Sequence, residues 1–134
     1  MRIDGGCHCG AIAYEAEVDP EAVGLCHCTD CQALTGSAFR VTVTARAQDF
    51  RITRGEPTIY RKQGDNGRPR LQAFCRQCGS PLYTTGVDED AEAVGIRWGG
   101  IAQRRSLAPN HQIWCNSAAD WLDSIGRLPA RPRD

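Results

Sequence analysis

The chain has 134 residues, 41% hydrophobic and 24% charged, and its 16 basic and 16 acidic side chains cancel to a formal net charge of zero. That is the composition of one ordinary folded domain, here expected over residues 1–134, and it excludes a disordered chain. With eight cysteines the charge depends on metal: seven thiolates and two Zn²⁺ would bring it to about −3, which argues against nucleic acid as a partner.

No apolar run approaches the roughly 20 residues of a membrane span, so no membrane partner is expected. Met1 to Gly6 lack the apolar stretch of a secretion signal, so a cytoplasmic location is expected. There, eight cysteines point to metal before disulfides. Soft thiolates select zinc first and an iron–sulfur cluster second. Fifteen of the sixteen basic residues are Arg, and Lys62 is the single Lys.

In chain order, Gly5-Gly6-Cys7-His8-Cys9-Gly10 opens with two cysteines that point to one side if extended. Ile12, Tyr14, Ala16 and Val18 alternate with Ala11, Ala13, Glu15 and Glu17, predicting a strand with one buried face. Asp19-Pro20 is a turn. Leu25 leads into Cys26-His27-Cys28-Thr29-Asp30-Cys31, and Thr29 to Leu34 are predicted as a helical turn ended by Thr35-Gly36-Ser37. Strands are predicted at 38–44, with Phe39, Val41 and Val43 on one face, at 50–53, and at 58–61 around Ile59 and Tyr60. Residues 63–69 are a loop by composition. A strand over 70–74 delivers Cys75, and Cys75-Arg76-Gln77-Cys78-Gly79 is a metal knuckle. Further strands follow at 81–84 and 93–98, with an acidic solvated turn at 87–91 between them. Residues 99–109 carry no clear pattern. His111 to Cys115 is predicted as a last strand, with Cys115 small and buried. A short helix at 118–124 is predicted to turn Trp121 and Leu122 inward, and residues 127–134 are expected to fray. Short strands with turn signals and little helix predict a mainly β fold of antiparallel strands around zinc sites.

A structural zinc takes four protein ligands. Cys7 and Cys9 with Cys75 and Cys78 supply four and join distant parts of the chain. Cys26, Cys28 and Cys31 supply three, leaving a fourth position for water or substrate, as catalytic zinc sites do. The alternative is a second structural site completed by His8, His27, His111 or Cys115. Three thiolates around Zn²⁺ carry one net negative charge, which suits holding a substrate thiol as its thiolate. Such a thiolate attacks an aldehyde carbon, and the reverse step expels it from the adduct.

The ordered set Gly5-Gly6-Cys7-His8-Cys9-Gly10, Cys26-His27-Cys28 with Cys31, Thr35-Gly36-Ser37-Ala38-Phe39, and Phe74-Cys75 with Cys78-Gly79-Ser80-Pro81-Leu82 resembles the glutathione-dependent formaldehyde-activating enzyme family, which is similar to centromere protein V-type proteins. The later His111, Ile113-Trp114 and Trp121 resemble its C-terminal segment. The resemblance implies a β-tent fold, a structural zinc on Cys7, Cys9, Cys75 and Cys78, and a catalytic zinc on Cys26, Cys28 and Cys31. It implies a carbon–sulfur lyase acting on S-hydroxymethylglutathione, so the expected partner is a small thiol or thiol–aldehyde adduct such as glutathione. Arg40, Arg46, Arg97, Arg104 and Arg105 are candidates for its carboxylates, ordinary surface solvation being the other use of each. Gly99 to Arg104 departs from the more acidic turn expected in the family. A non-enzymatic zinc-binding or interaction module is the alternative function.

Overall fold

The computed structural model describes residues 1–134. It is mainly β, with ten strands: β1 (Arg2–Gly6), β2 (Ala13–Glu17), β3 (Val23–Cys26), β4 (Arg40–Arg46), β5 (Phe50–Arg54), β6 (Thr58–Gln63), β7 (Pro69–Phe74), β8 (Pro81–Thr85), β9 (Ala93–Arg97) and β10 (His111–Ile113). One α-helix, α1 (Thr29–Thr35), lies between β3 and β4. The strands form a three-stranded sheet in the order β1-β2-β5 and a seven-stranded sheet in the order β10-β3-β4-β9-β8-β7-β6.

All pairings are antiparallel except one. β10 runs parallel to β3, with His111 opposite Gly24 and Ile113 opposite Cys26. A parallel partner needs a long crossover, and here it returns from the far end of the chain. The prediction of antiparallel strands is corrected at this edge. β1 and β3 were not predicted: Gly5-Gly6 and Gly24 break the apolar alternation on which the other strands were recognised. Cys7 and Cys9 are not extended; they sit in the turn between β1 and β2, closed by the Gly10 N–H donating to the Cys7 carbonyl at 3.2 Å.

The core lies between the sheets. Ile3, Tyr14, Ala16, Val23, Val43, Ala45, Leu82, Val94 and Ile96 are buried in it. Tyr14, Phe50 and Tyr83 bridge the layers, with ring centroids 5.6 and 4.8 Å apart. The period of two divides each central strand. On β4, Val43 and Ala45 face the core, while Arg40, Thr42 and Thr44 line a cavity on the other side. On β9, Val94 and Ile96 face the core, while Ala93, Gly95 and Arg97 line the cavity. Ile96, fully buried opposite Val43 and Tyr83, is a sensitive test of this packing. Ile96→Ala is expected to lower unfolding free energy by about 2–5 kcal/mol in a denaturant titration; a loss under about 1 kcal/mol would place the core elsewhere.

The C-terminal expectations hold only in part: a last strand forms and Leu122 is half-buried. Trp114 has φ of 58°, which turns the chain off the sheet, so the last strand stops at Ile113 and Cys115 is exposed rather than buried. The helix predicted at 118–124 is replaced by short 3₁₀ turns, including Leu122–Arg127, and Trp121 is 56% exposed rather than inward.

Candidate functional site

The four-cysteine cluster is built by two turns that meet. Cys7 and Cys9 lie between β1 and β2; Cys75 and Cys78 lie between β7 and β8. The Cys7 and Cys9 Sγ atoms are 3.6 Å apart, and those of Cys9 and Cys75 are 3.7 Å apart. Sulfurs on a shared tetrahedral zinc, with bonds of about 2.3 Å, stand about 3.8 Å apart. The four thiols therefore fit a metal ion, and all four sulfurs lie within 4.8 Å of one another. Gly79 follows with φ of 77°, a left-handed turn that few other residues adopt, and its N–H donates to the Cys75 carbonyl at 2.7 Å. Ser80 Oγ accepts from the His8 N–H at 3.0 Å and lies 3.2 Å from Cys78 Sγ, tying the two turns together.

The second cluster is local. Cys26 ends β3, Cys28 caps α1, and Cys31 lies in its first turn. The Cys31 N–H donates to Cys28 Sγ at 3.3 Å. Gln32 fastens the helix, donating to the carbonyls of His27 at 2.8 Å and Ser117 at 2.9 Å. The three sulfurs also lie within 4.8 Å of one another, and no His, Asp, Glu or further Cys ligand atom joins them.

The candidates for a fourth ligand are each placed elsewhere. His27 is buried, with Nε2 2.9 Å from Gln112 Oε1 and its ring edge-on to Phe39. His8 is exposed beside the other cluster, and Cys115 is exposed. His111 lines the cavity with Cys26 and Cys31, its Nδ1 2.8 Å from Asn110 Oδ1. Its ring lies across Gly24, where any side chain would collide: an added Cβ would sit 2.5 Å from Nε2.

The thiols respond to crowding without a cation. Burial pushes Cys31 up to about 12, reinforced by its neighbours Cys28 and Cys26. Burial also raises Cys26. For Cys28 the same burial is outweighed by the Cys31 N–H, the other two thiols and Lys62, so it falls below the ordinary thiol value. In the other cluster the Ser80 hydroxyl and N–H hold Cys78 down to about 5. The three-cysteine cluster therefore favours the Cys28 thiolate and resists those of Cys26 and Cys31, while in the four-cysteine cluster Cys7 is also lowered and Cys9 is raised to about 11; a bound divalent cation is what permits full deprotonation of either set.

The three-cysteine cluster opens on a cavity of about 380 Å³. Its walls are the outward faces of β3, β4 and β6–β9, with His111 and Ile113 of β10 at one rim. Arg40 and Arg97 lie in it and are 4% and 8% exposed, so neither is the solvated surface residue that was the other expectation for each. Burial and the Arg40 guanidinium push Arg97 down to about 9. The remaining arginine candidates lie outside. Arg46 pairs with Asp49 at 2.6 Å, Arg104 donates to the Ile101 carbonyl beside Trp98, and Arg105 is exposed. Lys62, Arg70, Gln72 and Thr42 also line the cavity and were not singled out from the sequence. The signal for Thr42 was present in Arg40-Val41-Thr42-Val43-Thr44, where polar residues alternate with apolar ones.

A family model for glutathione-dependent formaldehyde-activating enzymes matches residues 2–117. The chain belongs to this family. The match takes in all seven clustered cysteines and stops before residue 118, where the predicted inward-facing helix fails to form. Among relatives, the chain is 28% identical over 87 residues to a Halomonas elongata protein named "Putative glutathione-dependent formaldehyde-activating enzyme". That likeness covers 62% of this chain and 55% of the relative, so the chain spans little more than half the length of the curated relative it matches. The crystal structure of a Rhodobacter sphaeroides protein is similar at a TM-score of 0.64 and 26% identity, covering 81% of this chain and 98% of that one. No helix here is long and apolar enough to cross a membrane.

Proposed function

We propose that the protein is a zinc-dependent carbon–sulfur lyase of the formaldehyde-activating type, acting on an adduct of a thiol and an aldehyde such as S-hydroxymethylglutathione. Cys7, Cys9, Cys75 and Cys78 hold a structural zinc, and Cys26, Cys28 and Cys31 hold the zinc of the reaction. The observation that carries the reading is the unfinished second cluster: three sulfurs converge, no protein group completes the set, and a cavity opens beside them. Zinc bound there supplies a coordination position that keeps a substrate thiol in its thiolate form.

The chain's own residues account for the rest. In the breakdown direction the adduct's C–S bond breaks, its electron pair stays on sulfur, and the hydroxyl loses a proton as the C=O bond forms. His111 is placed to take that proton: Nδ1–H donates to Asn110 Oδ1, which leaves Nε2 as the free acceptor at the cavity rim. Arg40 and Arg97 give the cavity a positive field that favours an anionic substrate. A reducing compartment such as the cytoplasm suits a protein whose eight cysteines are all free.

A non-enzymatic module is served by a closed second site and a flat surface, and the three-cysteine cluster offers neither. Cobalt in place of zinc makes sulfur coordination visible as absorption. Titrating the cobalt-loaded protein with glutathione and smaller thiols is expected to change the spectrum of one metal and leave the other untouched. No change with any thiol would sink the lyase reading.

A further inference from the structure

Three guanidiniums converge on the cavity without an acidic partner. Arg40 and Arg97 are buried, yet neither belongs to any ion pair of the structure. They share one neutral acceptor: Gln72 Oε1 takes a bond from Arg97 Nη2 at 2.7 Å and a long one from Arg40 Nη1 at 3.4 Å. Arg97 Nη1 donates to Thr42 Oγ1 at 3.0 Å, which leaves the Thr42 hydroxyl hydrogen free to donate. Arg40 Nε is buried with no acceptor. Arg70 lines the same wall and is likewise outside any ion pair. The fourth cation, Lys62, is neutralised by Asp30 at 2.5 Å. No Asp or Glu lines the cavity.

Buried like charges without counter-ions are strongly unfavourable unless something brings the opposite charge. The neighbouring cysteines bring part of it, since three thiolates around a divalent ion carry one net negative charge. The three guanidiniums and the Thr42 hydroxyl still present donors that no protein acceptor takes up, Arg40 Nε among them. A single carboxylate brings one charge and two oxygens, enough for one guanidinium fork. A phosphate monoester brings a charge of about −2 and three acceptor oxygens, enough for several forks and the Thr42 hydroxyl.

We propose that this cavity binds the phosphoryl group of a phosphate monoester, so that the thiol the enzyme handles is a phosphorylated one. The second half rests on the lyase reading; the phosphoryl site itself does not. The cavity of about 380 Å³ suits a small molecule rather than a chain.

Calorimetric titration of the zinc-loaded protein with glycerol phosphate, inorganic phosphate and succinate tests it. Glycerol phosphate is expected to bind at least about tenfold more tightly than succinate, and Arg97→Gln to weaken it by about tenfold or more. Arg70→Gln, at a half-buried position, gives the same comparison if Arg97→Gln does not fold. Succinate binding as tightly as the monoester would overturn the proposal, as would phosphate binding untouched by both variants. Inorganic phosphate binding more tightly than the ester would overturn the phosphorylated thiol. Loss of phosphate binding beside an intact cobalt–thiol response defeats this inference alone, and the converse defeats the lyase reading alone.

Discussion

Cys75→Ser is expected to abolish cooperative unfolding of the protein near room temperature. Cys75 is 1% exposed and belongs to the cluster that joins the β1–β2 turn to the β7–β8 turn, and so one sheet to the other. Zinc held by four thiolates contributes about 10–16 kcal/mol in small zinc peptides. A domain of this size has a net stability of only about 5–15 kcal/mol. Losing the ion therefore removes about as much free energy as the fold has to spare. Circular dichroism during a thermal scan checks this, and a strong chelator should reproduce the effect in the unaltered protein. A variant that melts within a few degrees of the parent would show that the four cysteines hold nothing.

Cys28→Ser is expected to behave differently. Its cluster lies within six residues, Cys26 to Cys31, so an ion there closes a short loop and ties no distant elements together. Serine keeps the cap on α1, because its hydroxyl accepts from the helix N–H groups as well as the thiol does. The melting temperature should fall by no more than about 5 °C, the effect of roughly 1 kcal/mol in a domain of this length. Elemental analysis should find one zinc per chain instead of two, and the cobalt–thiol response should vanish. Collapse as complete as that of Cys75→Ser would make both sites structural.

These two variants separate what the cysteine spacing could reveal from what it could not. Spacing grouped Cys7 with Cys9, Cys75 with Cys78, and Cys26 with Cys28 and Cys31, because thiols two or three residues apart must share a neighbourhood whatever the fold, and the four ligands of a structural zinc joined the first two pairs. Strands whose apolar residues alternate, such as Ala13–Glu17, were legible for an equally local reason. The strands at Arg2–Gly6 and Val23–Cys26 were not, since their pairing depends on partners far along the chain. Nor was the end of β10, which Trp114 decides through a backbone angle that no periodicity reports. The cavity was legible only in pieces. Arg40 and Arg97 stood out as arginines, but that they share Gln72 follows from the register of four strands, which local pattern does not fix.

The division of β4 and β9 into an apolar face and a charged face has a consequence for how the chain finds its own alignment. Sliding either strand by one residue would carry Arg40, Arg97 and the threonines into the core and bring Val43, Ala45, Val94 and Ile96 out into the cavity. Guanidiniums forced among the side chains of Tyr14 and Leu82 would make such a misalignment far worse than an ordinary slip. The same charges that make the cavity attractive to an anion thus oppose misaligned pairings, and neutralising them to alter binding would also weaken the constraint on strand alignment.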